Sequence, residues 1–320
     1  MKPDLSVILP AMRGHRSVQA AIDAWQAQTF RERLEIVVLC PDVEEANRDL
    51  GPECLVVRTE SLDVHKARAA GVEAATADVV FMAEDHCLPE PDCAERLFAR
   101  LAEGCDVVGA SLQPGTATAF AEASFVLGYG QWMMPVTSGP VAHLPGHNYV
   151  MRRSHLLEQG DQLSDALLIN AFLLPRLRAA GLRFFLEADA MMTHYDPPRF
   201  GQSLFVLGAG GLGFGAVRTE RWPWPARGLY ALAFPAVAGA HWLRACRQQV
   251  RSGGLSLTTV RRLLAAIPLA MAWGVGESVG AVLGRRRVER HTWRAEVKPV
   301  PPEWVAKHRR RTGGPLPPTR

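Results

Sequence analysis

At 320 residues, with 48% hydrophobic and 21% charged side chains, the chain can hold one large α/β domain with a smaller appendage, and wholesale disorder is excluded. The net charge of +4 conceals an asymmetry: residues 285–320 carry 11 Lys/Arg against 3 Asp/Glu, a local +8, which leaves −4 for the rest. None of the six cysteines (Cys40, Cys54, Cys87, Cys93, Cys105, Cys246) forms a CxxC pair, so a thiolate zinc site is not expected.

In chain order, residues 5–9 form a short apolar run of the kind buried on both faces of a sheet. Val18, Ile22 and Trp25 recur at helical spacing and predict a helix over 18–28. Strands follow at 34–39, 55–58, 78–82 and 106–112, alternating with helices at 65–75 and 92–101. Strands alternating with helices imply βαβ units, hence an α/β fold with a mostly parallel central sheet and helices on both faces. Residues 117–129 read as a helix or helix-loop, 149–151 as a strand, 164–180 as a helix kinked or divided at Pro175, and 182–186 as a short strand.

Beyond residue 200 the composition shifts. Residues 205–217 are apolar and glycine-rich, and 229–242 and 263–275 are apolar helical candidates. Neither candidate reaches the roughly 20 apolar residues of a simple membrane span, so interfacial or re-entrant helices are expected. The basic tail suits an anionic surface, and the phospholipid headgroup is the expected partner rather than nucleic acid. The expected organisation is 1–200 the α/β domain, 201–284 membrane-associating and 285–320 a basic, proline-rich tail. The apolar stretch near the start spans only residues 7–9, so no secretory leader is expected, and the catalytic part should face the cytosol at a membrane surface.

Gly208-Ala209-Gly210-Gly211-Leu212-Gly213 fits the dinucleotide fingerprint GxGxxG. That fingerprint should open a helix and reach an acid about 20 residues on. Here Trp222-Pro223-Trp224-Pro225 interrupts the chain and no acid stands near Gly228, so a close-packed glycine helix or a mobile loop is the better expectation.

The informative feature is the end of the fourth strand, Phe81-Met82-Ala83-Glu84-Asp85-His86, where an apolar run stops at three candidate metal ligands. Ligands of open α/β sheets bind at the carboxyl ends of strands, and these donors suit a divalent cation that would neutralise a diphosphate leaving group. Read alone, the turn could equally be a solvated cap for the following helix. Asp42 ends the second strand, and Ala67-Arg68-Ala69-Ala70-Gly71 places a basic side chain just before the fourth.

On these residues the chain resembles the family 2 glycosyltransferases of GT-A fold. Ser6-Val7-Ile8-Leu9-Pro10 is similar to the family's opening strand, Asp42 to the acid after its second strand, and Ala67–Gly71 to its Ala-Arg-Asn-x-Gly helix without the Asn. Glu84-Asp85-His86 resembles its Asp-x-Asp motif, residues 146–153 its acceptor-side strand, and His194 its late histidine. The resemblance covers residues 4–196. It implies a nucleotide-diphospho-sugar donor held by Pro10, Asp42, Arg68, Glu84 and Asp85. It also implies Mn²⁺ or Mg²⁺ on Asp85, His86 and His194, and a glycan or lipid-linked acceptor near Gly146, His147 and Asn148. Ala11-Met12-Arg13 departs from the family after Pro10. The family's Glu-Asp base stands six residues before an Arg-Leu pair; counting back from Arg176-Leu177 gives Ile169-Asn170, and an amide has no useful basicity. Asp165 is the expected base in its place, with His147 as another candidate. The alternatives are a nucleotide-sugar-binding partner without turnover and, from the glycine run, a dinucleotide oxidoreductase.

Overall fold

The computed structural model describes residues 2–59, 63–168, 170–254 and 256–288. The chain divides into two compact units: residues 1–113 with 136–194, and residues 114–135 with 195–298. The basic tail expected at 285–320 lies outside the described residues after 288.

The first unit is built on one sheet. Its strands and helices are β1 (Leu5–Pro10), α1 (Gln19–Gln26), β2 (Leu34–Cys40), α2 (Val43–Asp49), β3 (Cys54–Arg58), α3 (Val64–Ala74), β4 (Val79–Met82), β5 (Cys87–Pro89), α4 (Cys93–Ala102) and β6 (Val107–Pro114). After α5 (Ala119–Tyr129), which belongs to the other unit, come β7 (Gly139–Pro140), β8 (Tyr149–Arg152), α6 (Arg153–Leu157), α7 (Leu163–Leu167), α8 (Asn170–Ala179) and β9 (Phe184–His194). The strand order is β3-β2-β1-β4-β8-β6-β9-β5, with β7 on β9. The four strands β3-β2-β1-β4 run parallel, while β8 joins β4 and β6 antiparallel and β5 joins β9 antiparallel.

The parallel half follows from its sequence. Every residue of β1 and β4 is buried, as expected for strands covered on both faces. Trp25 of α1 meets Phe81 of β4 edge to face at 4.7 Å between centroids. Gly71 lets α3 lie close on the sheet: a Cβ there would stand 2.7 Å from Leu39 Cδ2 and 3.0 Å from Ile8 Cγ2.

Two expectations for this unit change. The helix read over 164–180 is two helices, α7 and α8, with Pro175 inside α8 and the break before Asn170. The short strand read at 182–186 is the eleven-residue β9. It runs long because it pairs with β7 at one end and β5 at the other, and because Arg100 (2.9 Å) and Ser138 (2.7 Å) satisfy its buried Glu187.

The second unit is helical: α5, α9 (Phe200–Arg218), α10 (Trp224–Leu232), α11 (Phe234–Gly253) and α12 (Leu257–Leu283). The glycine run lies inside α9, so no strand-to-helix phosphate turn exists there. Its glycines are contact points between helices. A Cβ on Gly211 or Gly215 would overlap the carbonyls of Trp273 and Glu277, and a Cβ on Gly276 or Gly280 would overlap those of Gly208 and Leu212. Glycines four apart on both α9 and α12 thus let the two backbones touch, as in membrane helix pairs. The apolar stretch read as one helix over 229–242 is divided at Ala233, ahead of Pro235, where α11 starts anew. The helix read over 263–275 extends to 27 residues.

Ala123, Leu207, Ala266 and Leu269 form the core of this unit. Away from that core, Val260, Leu264, Ile267, Met271, Val275, Val279 and Val282 stand exposed along α12 at steps of three or four residues. They trace one helix face about 33 Å long. Both α9 and α12 are long and apolar enough to cross a membrane, by length and composition.

Candidate active site

The sheet topology draws distant residues together at the carboxyl end of β4. Antiparallel pairing of β4 with β8 sets Met82 opposite Tyr149, which brings the preceding residues, 146–148, beside Glu84. Pairing of β5 with β9 sets Cys87 opposite His194, which brings His86 and His194 side by side. The two imidazole rings meet edge to face at 4.6 Å between centroids. Glu84 Oε2 lies 3.7 Å from His194 Nε2, and one donor atom each from Glu84, His86 and His194 fall within 4.8 Å of one another. Glu84 and His194 are buried and His86 is partly so.

Two neighbours hold these groups. Asn148 has a left-handed backbone, φ 63°, a conformation asparagine tolerates better than most residues. In it the Asn148 N–H donates to the Met82 carbonyl at 2.8 Å while Nδ2 donates to Glu84 Oε2 at 2.6 Å. Asp85 Oδ1 stands 2.5 Å from His86 Nδ1. With the ring proton on Nδ1, the lone pair of His86 sits on Nε2, the tautomer typical of metal-bound histidine.

The sequence-predicted residues fall out as follows. Glu84, His86 and His194 converge, with Glu84 rather than Asp85 as the carboxylate of the group. Pro10 is buried at the end of β1, beside the ends of β2 and β4, where Ala11 N donates to Leu39 O and Ala83 N to Ile8 O. Asp42 is exposed just past β2 and caps α2 by accepting from the Glu45 N–H at 3.0 Å. Arg68 is buried on α3, near enough to His147 to act on its charge. His147 keeps some exposure, yet protein surrounds it closely. Burial first, then the positive charge of Arg68, brings its pKa down to about 3 despite the opposing Glu84 carboxylate. Gly146 precedes it in the same approach to β8. Asp165 is exposed on α7, a helix packed against α3.

The donor set can hold a divalent cation. Carboxylate plus two imidazoles suits Mn²⁺ and other borderline ions, and roughly 2.0–2.2 Å bonds to one ion are compatible with the 3.7 Å separation of Glu84 and His194. Mg²⁺, with its preference for oxygen, fits less well.

A sheet with this order, carrying such a group at the carboxyl end of its parallel strands, defines an α/β domain with a candidate metal site. Residues 6–158 match the family model for Glycosyl transferase family 2. That stretch is therefore similar to a family 2 glycosyltransferase domain, and the fold is of GT-A type. Among solved structures it is similar to a mannosyltransferase, PcManGT from Pyrobaculum calidifontis, determined in complex with GDP-Man and Mn²⁺. The identity is 16%, the TM-score 0.54, and 88% of each chain is covered, a likeness that speaks for the fold. No curated protein matches the chain.

Proposed function

We propose that the chain is an inverting hexosyltransferase that moves a sugar from a nucleotide-diphospho-sugar to a hydroxyl of a glycan or lipid-linked acceptor, in polysaccharide or glycolipid assembly. The observation that carries this reading is the convergence of Glu84, His86 and His194 at the end of β4. These three would hold Mn²⁺ or Mg²⁺, and the ion, when bound, would neutralise charge developing on the diphosphate leaving group. Support for Mn²⁺ comes from the donor set and from the Mn²⁺ in the mannosyltransferase complex. GDP-mannose is the first donor to test for the same reason.

The chain's own residues take the remaining roles. Pro10 and Asp42 flank the nucleoside, and the Arg68 guanidinium pairs with diphosphate oxygens. Asp85 fixes the tautomer of His86, and Asn148 fixes the rotamer of Glu84. Gly146, His147 and Asn148 border the acceptor. Asp165 takes the proton from the acceptor hydroxyl as its oxygen attacks the anomeric carbon from the side opposite the diphosphate. His147, whose pKa burial brings down to about 3, is the other candidate base.

The same reading places the enzyme at the cytoplasmic face of a membrane. It is supported by the exposed apolar face of α12, whose length is close to the ~30 Å hydrocarbon core of a bilayer, and by the basic tail. The six cysteines are free thiols, as a reducing compartment requires.

Asn170 at the expected base position favours a second reading, a nucleotide-sugar-binding partner without turnover. A panel of GDP-, UDP- and TDP-sugars assayed with Mn²⁺ and simple acceptors separates the two. The transferase reading predicts Mn²⁺-dependent transfer with inverted anomeric configuration. It also predicts that Asp165→Asn lowers kcat by about 10²-fold or more while donor binding persists. Full activity in that variant would move the base elsewhere, and binding without any turnover would leave the second reading.

A further inference from the structure

The helical unit contains a second polar constellation that the transfer chemistry does not use. Glu277 of α12 is 0% exposed inside the helical bundle. Both of its oxygens are engaged. Tyr230 OH donates to Oε1 at 2.5 Å and Trp273 Nε1 to Oε2 at 2.8 Å. Arg218 Nε approaches Oε1, and His241 Nε2 approaches Oε2, each at 3.5 Å. The set extends outward: Arg218 Nη1 donates to Tyr230 OH at 3.2 Å, and Arg244 donates to His241 Nδ1.

The charge does not balance. Arg218 meets the one carboxylate directly and Arg244 donates to His241, which itself faces Glu277, so two guanidinium groups stand around a single acid. Glu277 therefore fixes the cations without cancelling them. Arg218 is 40% exposed, and of its donors Nε faces Glu277 and Nη1 Tyr230, while Nη2 has neither of these partners. An anion with several acceptor oxygens completes this arrangement, and phosphate is the group a guanidinium fork recognises best.

The surface beside the cluster is apolar. Helix α10 contributes Tyr230 to the cluster and buries none of its residues, yet it presents Trp224 at 81% and Leu232 at 79% exposure, with Leu229 also exposed. Trp222 stacks edge to face on Tyr230 at 5.4 Å. A short helix with bare tryptophan and leucine next to arginine is the pattern of a membrane-interface segment.

We propose that Arg218, held by Glu277, and Arg244, held through His241, bind the phosphate of a membrane lipid whose chain lies along Trp224, Leu229 and Leu232. The site rests on the membrane-association reading above, and the two can fail separately. The probe is decyl phosphate, titrated calorimetrically into the full-length protein in a neutral detergent. Parallel titrations use inorganic phosphate and decanol, and flotation with phosphatidylcholine vesicles is measured alongside.

The site predicts saturable binding of decyl phosphate, weakened about tenfold or more in Arg218→Gln/Arg244→Gln. It predicts similar weakening in Trp224→Ser/Leu232→Ser, whose exposed positions leave folding intact. It further predicts that inorganic phosphate and decanol bind far more weakly. Equal binding of inorganic phosphate would make this a free-anion site, and equal binding of decanol would make it an apolar surface only; either result overturns the proposal, as does unchanged affinity in both variants. Failure to float on neutral vesicles would count against membrane association itself, and the decyl phosphate titration would still decide the site.

Discussion

At the residue scale, two side chains act by holding their neighbours. Asn148 fixes Glu84, and its backbone conformation is one that glycine adopts freely. Asn148→Gly therefore keeps the turn and removes only the bond to Glu84. Mn²⁺ affinity, read by calorimetry, is expected to fall roughly 10–100-fold, the usual cost of losing a group that orients a metal ligand. Unchanged affinity would mean that Glu84 needs no such support. The neutral His147 makes a different prediction. Its pKa in the fold, about 3, lies below the 6.5 of a free histidine, so the unfolded chain takes up a proton that the folded one refuses. Its share of stability is complete above pH 6.5 and is lost progressively as pH falls toward 3. His147→Gln should show a shallower loss of denaturation free energy between pH 6.5 and 4 than the wild type, and parallel curves would refute the assignment. Most of this site was legible in the sequence, because the end of β4 shows its ligands as a bare run after an apolar strand. The pairing of Asn148 with Glu84 was not legible, since it depends on a left-handed residue 64 positions away.

At the element scale, the helix pair α9 and α12 depends on bare backbone at the crossing. Gly215→Ala forces a methyl into the Glu277 carbonyl, whereas Gly239→Ala on α11 meets nothing within 4 Å. The first should destabilise by about 1–3 kcal/mol through overpacking. The second should be neutral or stabilise by up to ~1 kcal/mol through helix propensity. Urea denaturation of the two variants checks both, and similar behaviour of the pair would remove the close-contact account. The glycine run shows what a local pattern can and cannot say. Its spacing fits a phosphate turn, and only the following Trp-Pro-Trp-Pro and the missing acid argued otherwise. Which surface the glycines met was set by α12, some 60 residues on, and no periodicity within the run carries that. The parallel strands were readable because each is an apolar run closed by polar residues. β5 and α2 were not, because each is short and gets its order from a partner strand or a single cap.

At the scale of the whole molecule, an α/β unit with a candidate metal group is joined in one chain to a helical unit with an exposed apolar face. The apolar, glycine-rich composition beyond residue 200 points to the helical part, but the helix lengths do not follow from uninterrupted apolar runs. Glycine, threonine and one buried glutamate interrupt the count along α12 without ending the helix, because neighbouring helices satisfy or cover them. The central claim is that the domain binds a nucleotide-diphospho-sugar through a cation on Glu84, His86 and His194. The most direct test is calorimetric titration of GDP and UDP into the wild type and His194→Ala, with Mn²⁺ and with EDTA. The account predicts that at least one nucleotide binds the wild type in Mn²⁺, and that binding is largely lost both in EDTA and in His194→Ala. Binding of neither nucleotide, or binding indifferent to Mn²⁺ and to His194, would contradict it.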